Sequence, residues 1–217
     1  MPSQHQERSV TIRSEALALS GSLAVPAEAK RIVLFAHGSG SGRFSPRNRF
    51  VAQHLQHGGI ATLLIDLLTR DEEDERRNVF DIDLLGDRIL AASAWLRNDS
   101  STRELPLGYF GASTGAAAAL QAAARASFSV GAIVSRGGRP DLAERYLPDV
   151  TAPTLLLVGG EDYPVIEMNQ HAYRLLRCPK HLAIIPGATH LFEEPGTLER
   201  VTHQALAWFQ QHLVEPA

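Results

Sequence analysis

The chain has 217 residues, 44% hydrophobic and 21% charged, with a formal net charge of −3; these values fit one globular domain with a full core and give no reason to expect nucleic acid as a partner. Cys178 is the single cysteine, which excludes an internal disulfide and a thiolate metal site. Residues 1–8 are polar and lack the apolar core of a signal peptide, and no apolar run approaches the ~20 residues of a membrane span, so a cytoplasmic protein with no membrane partner and a flexible 1–8 segment is expected.

Residues 9–13 and 17–25 alternate enough to predict two strands of an antiparallel entry hairpin, with Ser14-Glu15 as its turn. Residues 31–36 form a continuous apolar run, which suits a strand buried on both faces of a parallel sheet. A glycine-rich loop follows, His37-Gly38-Ser39-Gly40-Ser41-Gly42. Ser45-Pro46 then reads as N-cap and first position of a helix reaching about His57, and Gly58-Gly59 ends it. The next buried strand is 60–66. The charged stretch 70–77 reads as a solvated loop or helix end; the alternative is a flap, spanning 69–80, over a site. Helical spacing covers 81–96, with Leu84, Leu85, Ile89, Leu90 and Trp95 on one side. Further strands are predicted at 107–112, 129–134, 153–158 and 181–185, and further helices at 116–126, 164–177 and 198–213.

Strands alternating with helices after an antiparallel start mean an α/β fold: a sheet parallel except at its N-terminal edge, with helices on both faces. No repeat, linker or second domain interrupts 1–217. Ligands of such sheets bind outside the carboxyl ends of the strands. There the sequence places Gly111-Ala112-Ser113-Thr114-Gly115, a G-x-S-x-G stretch between a strand and an alanine-rich helix. That context is the one a nucleophile elbow needs, with glycines where strand and helix pack closely. Read without chemistry, the same stretch is a helix start with Ser113 as N-cap.

A serine hydroxyl is a poor nucleophile until a base removes its proton. His190, on the loop after the last strand, is the candidate base, since histidine titrates near neutral pH. Asp162, on the loop after the preceding strand, is the candidate acid that orients it, with Glu161 as rival. Serine, acid, histidine is the chain order of α/β-hydrolases. Charge developing on the substrate oxygen needs backbone donors; the candidates are the Thr114 N–H with that of Ser39 or Gly40. His37 reads as structural, holding the glycine loop. That loop does not match a phosphate cradle, having neither the Gly-Lys-Ser/Thr ending nor the G-x-G-x-x-G spacing. Arg136 and Arg139, on a glycine-rich turn expected at the same sheet edge, are candidates for holding an anionic substrate group; otherwise they face solvent or pair with Asp141 and Glu144.

Four stretches, Ala36-His37-Gly38-Ser39-Gly40-Ser41, residues 108–115, Gly159-Gly160-Glu161-Asp162 and Gly187-Ala188-Thr189-His190-Leu191-Phe192, make the chain resemble the dienelactone-hydrolase-like branch of the α/β-hydrolase superfamily over nearly its whole length. The resemblance implies an α/β-hydrolase fold and hydrolysis of a small-molecule ester through an acyl-enzyme, with no metal and no organic cofactor. The chain departs from dienelactone hydrolases proper, which use a cysteine nucleophile where this chain has Ser113; Cys178 lies elsewhere. A general carboxylic ester, lactone or thioester is therefore the expected substrate. Larger members insert a cap domain before the acid's strand; here 136–152 is too short for one. An acyltransferase or cofactor-free perhydrolase with the same triad, and a non-catalytic binding protein on the fold, are the competing readings. The sequence leaves open whether the protein is a monomer or a homodimer.

Overall fold

The computed structural model describes residues 7–14 and 17–214. Its centre is an eight-stranded sheet in the order β1-β2-β4-β3-β5-β6-β7-β8. The strands are β1 (Glu7–Ser14), β2 (Leu17–Ala24), β3 (Ile32–Ala36), β4 (Ala61–Ile65), β5 (Leu107–Ala112), β6 (Ala132–Arg136), β7 (Thr154–Gly159) and β8 (Lys180–Ile185). β1 pairs antiparallel with β2, and β2 antiparallel with β4; every other pairing is parallel. The entry hairpin is present, beginning at Glu7 rather than after residue 8. Glu15 of its expected turn lies outside the described residues.

The helices are α1 (Pro46–His57), α2 (Arg70–Glu73), α3 (Ile82–Leu96), α4 (Thr114–Arg125), α5 (Tyr163–Leu175) and α6 (Thr197–His212). They explain why the central strands read as unbroken apolar runs. In β3, Ile32, Leu34 and Ala36 face a core built with α3 and α4, through Leu85, Ile89, Ala117 and Leu120. The alternate residues Val33 and Phe35 face a second core with α1 and α6, through Val51, Leu55, Ala205 and Phe209. The two-residue period of a strand thus delivers apolar side chains to both faces. Each fully buried Leu, Ile or Phe contributes roughly 1.5–3 kcal/mol of burial free energy.

Ser45 caps α1, its hydroxyl accepting the Asn48 N–H, and Pro46 opens the helix. α3 buries a face rotated from the expected one. Ile82, Leu85, Ile89, Ala92 and Leu96 are enclosed, whereas Leu84, Leu90 and Trp95 are only partly buried. Small residues set that face: an added Cβ on Gly86 would overlap the Gln121 side chain of α4, so the helices meet along the Gly86 side. The interval after β6 contains a 3₁₀ run, Pro140–Asp149, kinked at Ala143, and no cap domain. Among the described residues no helix is long and apolar enough to cross a membrane.

Candidate active site

β5 delivers the elbow. All six of its residues are buried. The chain then reverses at Ser113, with φ 51° and ψ −121°, and α4 starts at Thr114. A non-glycine residue held at positive φ costs on the order of 1–3 kcal/mol and persists only where surroundings fix it. Here the Ser113 N–H donates to the Arg136 carbonyl at 3.2 Å, and the Ser113 carbonyl accepts from Ala116 N–H and Arg139 N–H, both at 3.1 Å. The flanking glycines are required by close approach. A Cβ on Gly111 would lie 2.4 Å from Ala116 Cα, and one on Gly115 would lie 2.3 Å from the His37 carbonyl oxygen.

Two neighbouring loops deliver the acid and the histidine. After β7, the Gly160 N–H donates to the Ile185 carbonyl at 2.8 Å and the Glu161 N–H to the Ala188 carbonyl at 2.9 Å. These bonds lock the two loops together. Thr189 is fixed in turn by Glu194, through its N–H at 3.1 Å and its hydroxyl at 2.6 Å. The result is a 2.6 Å contact between His190 Nδ1 and Asp162 Oδ2. The Asp162 side chain is 13% exposed and that of His190 38%, so the carboxylate is shielded while the imidazole meets solvent. Glu161, the rival carboxylate, instead accepts from the Tyr163 hydroxyl at 2.9 Å. Gly137, which follows β6 and has φ 52°, runs beneath the His190 ring: a Cβ there would lie 3.5 Å from its atoms. The end of β6 therefore touches the elbow on one side and the imidazole on the other. Among the described residues Ser113 Oγ makes no hydrogen bond; catalytic bonds of unliganded sites are often long and tighten on binding.

The glycine loop closes the site from β3. His37 is buried, its Nε2 accepting the Leu67 N–H at 2.9 Å and its Nδ1 bonded to the Gly38 carbonyl at 2.9 Å. Both bonds are satisfied by a neutral ring with its proton on Nδ1. Burial pushes its pKa below the ordinary value, outweighing the Gly38 bond and the charges of Asp66 and Glu73. Ser39 sits against the elbow, its N–H donating to Thr114 Oγ1 at 3.1 Å, and Gly40 turns at φ 66°. A groove of about 820 Å³ runs from Ser39 and Gly40 past Arg43 and Arg47 to Thr69, Arg70 and Glu73. The charged stretch thus borders this groove. Its first turn, α2, has a capping box between Thr69 and Glu72 and is tied to α3 by Glu72–Arg88 at 2.9 Å.

The two arginines part company. Arg139 is engaged by Asp141 through two hydrogen bonds of 2.9 and 2.8 Å. Arg136 is not in a turn, as the sequence suggested, but is the last residue of β6, because pairing with both β5 and β7 extends that strand. Its side chain is buried, with one long contact from Nη2 to Asn48 Oδ1 at 3.4 Å and no partner for Nε or Nη1. Burial, with Arg47 nearby, pushes its pKa down to about 10, which leaves it charged at neutral pH. The expected pair of free guanidinium groups is therefore not formed. Cys178 is buried and bonds through Sγ to Thr154, the first residue of β7, at the sheet edge opposite Ser113. Gly137 and the Ser39–Thr114 bond were not legible in the sequence, since both depend on which loops meet. Among the described residues no group of His, Cys, Asp and Glu has the arrangement of a metal site.

Sheet order, elbow and loops define an α/β-hydrolase, and comparison with known proteins narrows the class. The dienelactone hydrolase family model matches residues 19–213, and the chain belongs to that family. A solved dienelactone hydrolase from Anabaena variabilis is 55% identical with a TM-score of 0.94, covering 97% of this chain and 100% of that one. Est1E from Butyrivibrio proteoclasticus, 18% identical with a TM-score of 0.80 over 94% of this chain and 98% of that one, shares the fold. A Mycobacterium tuberculosis protein provisionally named a phosphoribosyl transferase is 53% identical over 97% of this chain; the chain spans about half (48%) of that relative's length.

Proposed function

We propose that this protein is a serine hydrolase that cleaves small carboxylic esters, lactones or thioesters through an acyl-enzyme. Ser113 is the nucleophile, His190 the general base and Asp162 the acid that orients it. With Nδ1–H donated to Asp162, His190 Nε2 is left as the acceptor for the serine proton. Ser113 Oγ adds to the carbonyl carbon, and His190 returns the proton to the leaving oxygen or sulfur. Water, activated by the same imidazole, then releases the acid. The Thr114 N–H, free at the start of α4, is one donor to the oxyanion.

The observation that carries this reading is the 2.6 Å His190–Asp162 contact on loops that converge with the strained Ser113 elbow. The exposure of His190 supports hydrolysis over transfer to another acceptor, because water reaches the base. The name of the Mycobacterium tuberculosis relative is not carried over, since half of that protein lies outside the match. Action in the cytoplasm, on a small molecule and without a nucleic-acid or membrane partner, belongs to the same reading. Arg136 gives a preference for anionic esters: its unneutralised charge sets up a positive field beside the elbow, without a direct clamp.

Labelling with a fluorophosphonate probe tests the nucleophile. Wild type labels, and Ser113→Ala loses labelling while keeping its fold; full labelling of that variant would overturn the assignment. In the same assay series, kcat/KM for matched neutral and carboxylate-bearing p-nitrophenyl esters is compared in wild type and Arg136→Met. A selective loss for the charged ester is expected. Equal effects on both esters would remove the anion preference.

A further inference from the structure

Thr114 brings two hydrogen-bonding groups to the elbow. Its N–H, at the first position of α4, has no acceptor within the helix. Its side chain belongs to a residue only 2% exposed, and Oγ1 already accepts the Ser39 N–H. A threonine hydroxyl carries one proton and two acceptor lone pairs. The Ser39 bond occupies a lone pair, so the proton must be delivered elsewhere. Among the described residues nothing accepts it, although Glu73 lines the same small cavity. A donor left without an acceptor in so enclosed a place is costly unless a ligand provides one. The same bond commits the Ser39 N–H, which was a candidate for the second oxyanion donor.

We propose that the second oxyanion donor is the Thr114 hydroxyl, with the Ser39 amide acting behind it as the group that aims it. Accepting from Ser39 orients the hydroxyl and polarises its O–H, strengthening the bond it donates. When Ser113 Oγ bonds to the carbonyl carbon, the serine proton passes to His190 Nε2 and the carbonyl π pair moves onto oxygen. That oxygen then accepts from Thr114 N–H and Thr114 Oγ1–H, and neither donor gives up its proton. One residue thus supplies both donors, and Ser39 is a positioning residue. The inference rests on the reading of Ser113 as nucleophile.

Thr114→Val keeps the shape and removes the hydroxyl; Thr114→Ser keeps the hydroxyl. Loss of an oxyanion donor lowers kcat by roughly 10²–10³-fold. Thr114→Val should therefore lose kcat on that order with little change in KM, and Thr114→Ser should restore most of it. A trifluoromethyl ketone analogue, which adds to the serine and carries the oxyanion, should bind Thr114→Val more weakly by a similar factor. The matching secondary alcohol, which cannot add, should bind both proteins equally. Near-normal kcat in Thr114→Val, or equal weakening of ketone and alcohol, overturns the proposal. If thermal melting shows Thr114→Val unfolded, Thr114→Ala against Thr114→Ser carries the same comparison. The Ser113→Ala labelling assay runs alongside: retained labelling there defeats the nucleophile reading, whereas lost labelling with an unimpaired Thr114→Val defeats only the threonine proposal.

Discussion

Asp162 and Glu161 are adjacent carboxylates with opposite surroundings, and the difference sets what each does. Asp162 is largely enclosed and reaches His190 Nδ1; Glu161 points outward to the Tyr163 hydroxyl. The backbone decides this, because the Glu161 N–H is spent on Ala188 and so fixes which way the loop turns. Asp162→Asn should keep the fold and lower kcat by up to about 10⁴-fold, since an amide no longer holds the working tautomer. Glu161→Gln should remain close to wild type. Steady-state kinetics of the two variants check the assignment, and the reverse ranking would make Glu161 the acid. The sequence put Asp162 ahead of Glu161, but the contacts that set their surroundings are made with a loop 27 residues further on.

Among the elements, the segment from Thr69 to Phe80 shows how a charged run acquires structure. Composition alone reads it as solvated, and most of its side chains are exposed. Yet Glu72 ties the segment down from both its backbone and its carboxylate. Its N–H donates to Thr69 Oγ1, its Oε2 accepts the Thr69 N–H at 2.9 Å, and its Oε1 accepts from Arg88 of α3 at 2.9 Å. A cap of this kind contributes about 1 kcal/mol. Glu72→Ala should therefore lower Tm by roughly 2–4 °C for a domain of this size. It should also speed tryptic cleavage at Arg76 and Arg77, with KM changed more than kcat, because the segment walls the groove. Unchanged cleavage would mean that other contacts hold the segment. The strands were more legible than α2 or the rotated face of α3. Continuous apolar runs mark a sheet covered on both sides, whereas the buried side of a helix depends on the shape of its neighbour, here Gln121 against Gly86.

At the scale of the whole molecule, His37 links the glycine loop after β3 to the chain leaving β4. The bond from the Leu67 N–H requires an unprotonated Nε2, and burial holds the pKa of the ring below 6.5. The unfolded chain therefore takes up a proton near pH 6.5 that the folded protein refuses. Its contribution to stability is full above that pH and is lost as pH falls toward the depressed folded value. The slope is at most about 1.4 kcal/mol per pH unit for one proton. Urea unfolding of wild type between pH 7.5 and 5 should show this loss, and His37→Gln should show a shallower dependence. Identical slopes in the two proteins would assign the effect to other groups.

The amino-acid sequence by itself determined the alternation of strands and helices, the antiparallel entry, the absence of a cap and the four strand-end loops that carry polar groups. Those features follow from periodicity, punctuation by glycine and proline, and interval length, all local in the chain. Tertiary structure alone decided that Arg136 ends a strand and is buried, and that the Ser39 amide meets the Thr114 hydroxyl. Each of these is set by contacts between segments far apart in sequence. A side chain's partner there depends on how closely two backbones approach, and that distance is fixed only once the sheet has assembled and the glycines at 111 and 115 have let the helix close on it.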